Sequence, residues 1–317
     1  MYYDNTIEGV IMKKALILIN ESAGTRKAGN YVMQIVSKAA AAGYEPIVYP
    51  IVPGTKFTSE ELVGKYGAEV DLVLCSGGDG TMNHVMNALM KFTKKPQLAY
   101  VPAGSANDFA KGLGIPANRS RAIETAFSGN TFAYDVGKMN ENYFNYVAAF
   151  GAFTEASYDT KQEWKNVLGY AAYFLTAVGE LYQNIHYSHH IRITTEEGTE
   201  EGDYIFGAVS NSVSVGGLPL FGKTGIRLDD GRMELLLIRV PKNLIELQTV
   251  IATLGKGQSN HPNILFKQVT GATFESKKKV AWTLDGEYGG SYAHTKIEVM
   301  EHAISVMTSR RGKDASF

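Results

Sequence analysis

The stretch from Val70 to Met90, VDLVLCSGGDGTMNHVMNALM, limits the fold more tightly than any other part of the chain. Asp71 to Cys75 is a short, nearly continuous apolar run, the pattern of a strand buried on both faces of a parallel sheet. It ends in Gly77-Gly78-Asp79-Gly80-Thr81, after which Val85, Met86, Leu89 and Met90 recur at helical spacing. The glycines therefore join a strand end to a helix start. Glycine lets backbone amides converge on an anion with no Cβ in the way, and the helix N-terminus adds partial positive charge. Asp79 would repel a phosphate held there unless a divalent cation bridged the two, so the turn points to a metal–nucleotide complex. Neither G-x-x-x-x-G-K-[ST] nor G-x-G-x-x-G is present. A turn that merely connects strand and helix is the plainer alternative.

The same unit repeats along the first part of the chain. Ala15 to Ile19 is an apolar strand leading through Asn20-Glu21-Ser22-Ala23-Gly24 to an amphipathic stretch, Tyr31 to Ala41, closed by Gly43. Ile47 to Val52 predicts the next strand and Ser59 to Tyr66 the next helix. With the central stretch these make three strand–helix units, the material of a parallel sheet with right-handed crossovers. A fourth strand, Gln97 to Val101, runs into Pro102-Ala103-Gly104-Ser105-Ala106-Asn107-Asp108-Phe109-Ala110-Lys111. Ligands of open α/β sheets sit beyond the carboxyl ends of the strands. That rule brings Asn20, Asp79, Ser105 and Asn107 to one crevice.

After about Asp135 the texture changes to short strands rich in Tyr, Phe, Val and Thr: Tyr143–Phe150, Ile191–Thr195, Tyr204–Asn211, Met233–Val240, Ile264–Thr270, Ala272–Glu275, Val280–Leu284 and Thr295–Met300. An all-β second domain is expected. One helix, Trp164 to Asn184, is expected to interrupt it, with Leu168, Ala171, Leu175, Val178 and Leu181 or Tyr182 on a stripe that packs on the β domain, a membrane-touching surface being the alternative. The domains read as 1–135 and 136–302, with 303–317 returning to the first through the apolar run Ala303 to Met307.

At 317 residues the chain has material for about two domains. A formal charge of −1 gives no global basic field and no call for nucleic acid. The single cysteine, Cys75, cannot form an internal disulfide and reads as a small buried hydrophobe. No apolar run approaches the roughly 20 residues that span a bilayer. The opening MYYDNTIEGV lacks the pattern of a signal peptide and reads as an extension before Met12. A cytoplasmic place is expected, with at most peripheral membrane association.

Four ordered motifs resemble the diacylglycerol kinase catalytic-domain family, in particular its soluble bacterial lipid kinases. They are Gly77-Gly78-Asp79-Gly80-Thr81, Pro102 to Asp108, Leu228-Asp229-Asp230-Gly231 and Leu284-Asp285-Gly286-Glu287. The first motif alone is shared with NAD kinases and phosphofructokinases. The resemblance runs from Lys13 onward. It implies an α/β N-terminal domain with a parallel sheet of the NAD kinase and phosphofructokinase kind, followed by an all-β sandwich C-terminal domain. It also implies ATP and Mg²⁺ as cofactors and a lipid hydroxyl as acceptor in the interdomain cleft.

By that resemblance Asn20, Glu21, Ser22, Ala23 and Gly24 form the first nucleotide turn. Gly77, Gly78, Asp79, Gly80, Thr81, Met82, Asn83 and His84 hold the phosphates, and Gly104, Ser105 and Asn107 complete the nucleotide site. Asp79 and Asp108 organise catalytic magnesium through water, since Mg²⁺ keeps several waters. For Asp108 a helix start capped by Asn107 or Asp108 is the local alternative. Asp285 and Glu287 flank a glycine, and i, i+2 spacing directs both carboxylates to one face. One of them takes the acceptor proton, with Glu287 favoured for its longer reach. A hairpin turn on Asp-Gly is the alternative. A structural Mg²⁺ is implied at Asp230 with the carbonyls of Arg227 and Arg232.

Departures from the family pattern stand at three places. Glu21 replaces a proline, His84 replaces a glutamate after Thr-x-Asn, and Lys111 replaces an arginine and loses bidentate geometry. NAD kinase is a second enzyme reading, and a catalytically silent lipid- or nucleotide-binding regulator is a third. A lipid kinase must visit a membrane, so transient surface contact through loops at the cleft mouth is expected; Arg310, Arg311 and Lys313 could aid it but read first as a solvated terminus. The sequence leaves a homodimer open.

Overall fold

The computed structural model describes residues 6–7, 10–20, 31–52, 54–104, 107–151, 188–212 and 226–309. The sequence expectations at Glu21 to Gly24, Ser105, Trp164 to Asn184 and Arg310 to Lys313 lie outside these. The chain divides into two compact units, one running to Tyr134 and resuming at Ala303, the other Asp135–His302.

The first unit opens with β1 (Thr6–Ile7) paired antiparallel to β2 (Val10–Ile11). It continues through β3 (Lys13–Asn20), α1 (Val32–Ala41), β4 (Tyr44–Ile51), α2 (Ser59–Tyr66), β5 (Leu72–Gly77), α3 (Asp79–Leu89), β6 (Gln97–Pro102), α4 (Asp108–Gly112) and α5 (Arg119–Ser128). The order β6-β5-β3-β4 is parallel throughout. Leu16, Ile17, Leu18, Leu72, Val73, Leu74 and Cys75 are fully buried, as strands covered on both faces require. Parallel register sets Ile19 opposite Ser76 and Gly77 opposite Pro102, so the turns that follow leave from one edge. The Cys75 thiol is pushed up by burial and by the nearby Asp79 charge.

Two strands run across the division: β7 (Asn130–Met139) and the last strand, β15 (Glu287–Thr308). Within the first unit, Val306 of β15 pairs parallel with Leu98 of β6.

The second unit adds β8 (Asn142–Phe144), β9 (Val147–Gly151), β10 (His189–Thr195), β11 (Gly198–Ser210), β12 (Met233–Arg239), α6 (Leu244–Gly255), β13 (Ile264–Val269) and β14 (Gly271–Leu284). Pairing is antiparallel in the order β13-β12-β11-β10-β14-β15, and β9 pairs β11 and β14. Its core includes Phe150, Phe274 and Trp282, which meet edge to face at 4.9 to 6.0 Å.

Three sequence expectations need correction. The second unit is not all β among the described residues, because α6 lies between β12 and β13. Asn243 caps it by accepting from the Glu246 amide, and Glu246 reaches back to the Lys242 amide, while Leu247, Val250 and Leu254 form the buried stripe. The strand expected over Tyr143 to Phe150 is broken at Asn145 and Tyr146, whose amides are taken by the side chain of Asp285, in the loop that follows β14. The two strands expected over 272–284 are one, β14, with an irregularity between Glu275 and Val280.

Candidate functional site

In the first unit the turns after β3, β5 and β6 are tied together by side chains. Asn20 Nδ2 donates to Thr81 Oγ1 at 2.8 Å, joining the end of β3 to the first turn of α3. Gly78 is the extended N-cap of that helix. A Cβ on Gly104 would lie 2.7 Å from the Gly78 Cα and 3.0 Å from Asn107 Oδ1, so the two backbones meet at a separation only glycine permits. Asn107 holds the second turn shut. Its φ is +52°, its Oδ1 accepts from the Gly104 amide at 2.9 Å, and its Nδ2 donates to the Gly104 carbonyl at 2.8 Å. The buried Tyr100 hydroxyl donates to the Gly77 carbonyl at 3.0 Å and to Asn107 Oδ1 at 3.3 Å, linking both turns.

Asp79 has a second physical reason to stand among glycines. Its Oδ2 accepts from the Asp108 amide at 3.2 Å and its Oδ1 from the Phe109 amide at 3.3 Å. The carboxylate of one turn thus caps the helix that follows the other. The capping expected of Asn107 or Asp108 is corrected accordingly: Asn107 occupies the N-cap position but spends its side chain on Gly104, and Asp108 is the first helical residue. Asp108 is 3% exposed and paired with Lys111 Nζ at 3.3 Å. Met82 is buried against the core and Asn83 half-buried on α3. His84 is exposed, and its Nδ1 lies 2.6 Å from Glu60 Oε1 on α2, a partner that sequence reasoning missed because the two are 24 residues apart.

In the second unit Leu284 pairs with Glu287 across a two-residue hairpin loop. Positive φ at Asp285 (+52°) and Gly286 (+90°) is the pattern of a type I′ turn, which Asp-Gly favours. The expectation that Asp285 and Glu287 share one strand face therefore fails: they stand on either side of a reversal. Asp285 is 5% exposed. Its carboxylate accepts from the amides of Asn145 at 2.7 Å, Tyr146 at 2.9 Å and Val147 at 3.0 Å, and the Tyr146 hydroxyl donates to its carbonyl. This is the side chain that interrupts β8 and β9. Glu287 is exposed and makes no side-chain hydrogen bond among the described residues.

The acidic turn before β12 forms a separate cluster in that unit. Gly231 has φ +70°, and its amide donates to Oδ2 of the fully buried Asp135 at 2.7 Å. The other oxygen of Asp135 accepts from the His302 amide. Burial raises the Asp135 carboxyl, while these two amides pull it back. Asp230 Oδ1 accepts from the Arg232 amide at 3.1 Å, and Arg227 pairs with Asp229 at 3.2 Å. Glu234, 1% exposed, accepts from Gln268 with one oxygen, and its Oε2 has no partner among the described residues; burial pushes its carboxyl up to about 8. Among the described residues no three His, Cys, Asp or Glu side chains gather as a ready-made metal cage. The carboxylate of Asp230, on the acidic turn, has the oxygen chemistry that a mostly hydrated Mg²⁺ takes, as does that of Asp79.

Residues 14–139 match the diacylglycerol kinase catalytic domain. The diacylglycerol kinase of Bacillus subtilis strain 168 is 29% identical over 306 residues, covering 95% of this chain and 99% of its own. That of Staphylococcus carnosus strain TM300 is 27% identical over 303 residues, covering 95% and 97%. A crystal structure of a diacylglycerol kinase from Bacillus anthracis strain Sterne shares the fold, with a TM-score of 0.72 at 21% identity over 96% of this chain and 98% of that one. The catalytic-domain match over residues 14–139 and the similarity along nearly the whole length make this chain similar to the diacylglycerol kinases.

Proposed function

We propose that this protein is an ATP- and Mg²⁺-dependent lipid kinase, which transfers the γ-phosphoryl group of ATP to the hydroxyl of diacylglycerol or a related lipid. The observation that carries the reading is the double glycine turn. Gly78 and Gly104 meet with no room for a Cβ, beside a helix N-terminus, with Asp79 binding both turns. Such a seat suits the phosphates of a nucleotide. In this reading the α/β domain, 1–135 with 303–317, takes the nucleotide and the β-sandwich domain, 136–302, takes the lipid. Asn20 to Gly24, Gly77 to His84, Gly104, Ser105 and Asn107 bind ATP.

Asp79 and Asp108 would hold Mg²⁺ through water, and the cation would neutralise charge that develops on the phosphates. Glu287 takes the proton of the lipid hydroxyl as that oxygen bonds to the γ-phosphorus and the bond to the β-phosphate oxygen breaks, releasing ADP. Glu287 suits the task because its carboxylate is exposed and unengaged. Asp285 serves from behind: three backbone amides occupy it, so it sets the hairpin that presents Glu287. Asp230, with the carbonyls of Arg227 and Arg232, is the proposed place of a structural Mg²⁺. If so, added Mg²⁺ raises the unfolding midpoint of the wild type and not of Asp230→Ala.

No helix among the described residues is long and apolar enough to cross a membrane. A cytoplasmic protein that touches the membrane transiently fits the proposed substrate. The test is a panel of diacylglycerol, ceramide, sphingosine and monoacylglycerol in mixed micelles, with NAD as a further acceptor. Labelled ATP and Mg²⁺ should label a lipid, whereas labelled NAD alone, or ATP binding without turnover, would replace this reading.

A further inference from the structure

The hydrogen bond between His84 and Glu60 is short, 2.6 Å, although 59% and 41% of the two side chains are exposed. A contact of that length is charge-assisted. So open a pair contributes little to stability. The two helices already pack on one another, and Leu62 and Val63 on α2 and Met82, Val85 and Met86 on α3 are all buried. What the bond fixes is the imidazole. A carboxylate on Nδ1 requires a proton there and leaves Nε2 as the free edge of the ring. His84 makes no other hydrogen bond among the described residues.

Its place in the fold says what that edge could meet. His84 follows Thr81 by three residues on α3, so both lie on one side of the helix, and Thr81 is the residue tied to the end of β3. At a rise of about 1.5 Å per residue the imidazole is based roughly 7–8 Å along the axis from the glycine turn. On the β6 side of that turn Gly104 closes against Gly78. A nucleotide with its phosphates on the turn is thereby led to the other side, toward β3 and β4, each lane about 4.8 Å further. α2 packs on α3 and touches β3, so the pair lies on that side.

We propose that Glu60 is a positioning residue that locks the His84 ring with Nε2, its acceptor nitrogen, turned to a ribose hydroxyl of the nucleotide, the two forming one nucleotide-contacting dyad. The inference rests on the ATP-dependent reading above and deepens it. The test uses the full-length protein with ¹⁵N-labelled histidine, ATP and Mg²⁺. The free protein should show His84 protonated at Nδ1, and ATP should move its Nε2 resonance, assigned by its loss in His84→Gln. By calorimetry Glu60→Gln and His84→Gln should each weaken ATP binding up to about tenfold, the worth of one hydrogen bond. In kinetics the KM for ATP should rise while the KM for lipid stays put, and the thermal midpoint should not move. Wild-type protein that binds ATP while its His84 resonance stays still, or both single variants binding ATP as tightly as wild type, would overturn the dyad alone. Wild-type protein that binds no ATP would overturn the kinase reading and the dyad with it.

Discussion

At the scale of single residues, the two acids of Leu284-Asp285-Gly286-Glu287 have opposite physical situations and should separate in experiment. Asp285→Asn tolerates the positive φ but turns an amino group toward an amide donor, so it should cost about 2 kcal/mol or more in urea unfolding. Glu287→Gln removes an exposed carboxylate with no partner and should leave stability within about 0.5 kcal/mol, while turnover falls about 10²- to 10⁴-fold. Equal losses of stability in the two variants would contradict this division. Gly104→Ala is a third residue-scale case: its methyl would meet the Gly78 Cα, and the resulting shift should cost about 1–3 kcal/mol and release the phosphate seat, read by denaturation and by ATP titration. The glycines and the two Asp-bearing turns were legible in the sequence because each carries a backbone requirement. What Asp79 and Asp285 touch was not legible, since both caps reach amides far along the chain: 29 residues for Asp79 and 140 for Asp285.

Among elements, the pairing of β12 with β13 carries a buried titratable group. Glu234 keeps its proton in the folded chain to about pH 8, well above the ordinary value of 4.5. The folded state therefore binds the extra proton between those limits, so stability is fullest below pH 4.5, falls as pH rises through the window and levels off above about 8. Glu234→Gln should flatten that slope, with a thermal midpoint close to wild type at pH 5 and above it at pH 9. A wild-type curve that rises over the window and a variant with the same slope would refute the assignment. Strand and helix positions in the first unit follow from periodicity, as in Ser59–Tyr66 and Gln97–Pro102. The helix Leu244–Gly255 was missed although Asn243 and Glu246 spell a capping signal, because Leu244, Ile245 and Val250 look equally like a strand. The break between β8 and β9 could not be seen locally, since a hairpin loop of another strand causes it.

For the whole molecule, two units with different chemistry divide the proposed labour: a parallel sheet whose strand ends carry the glycine turns, and antiparallel strands whose hairpin carries Glu287. Phosphoryl transfer asks a protein mainly for positioning and charge neutralisation, which such rigid strand ends supply. The direct measurement is transfer of label from γ-labelled ATP to diacylglycerol in micelles with Mg²⁺, run on wild type and on Glu287→Gln of matched unfolding midpoint. The account predicts labelled phosphatidic acid from the wild type and almost none from the variant. No labelled lipid from well-folded wild type, or undiminished labelling by Glu287→Gln, would contradict it.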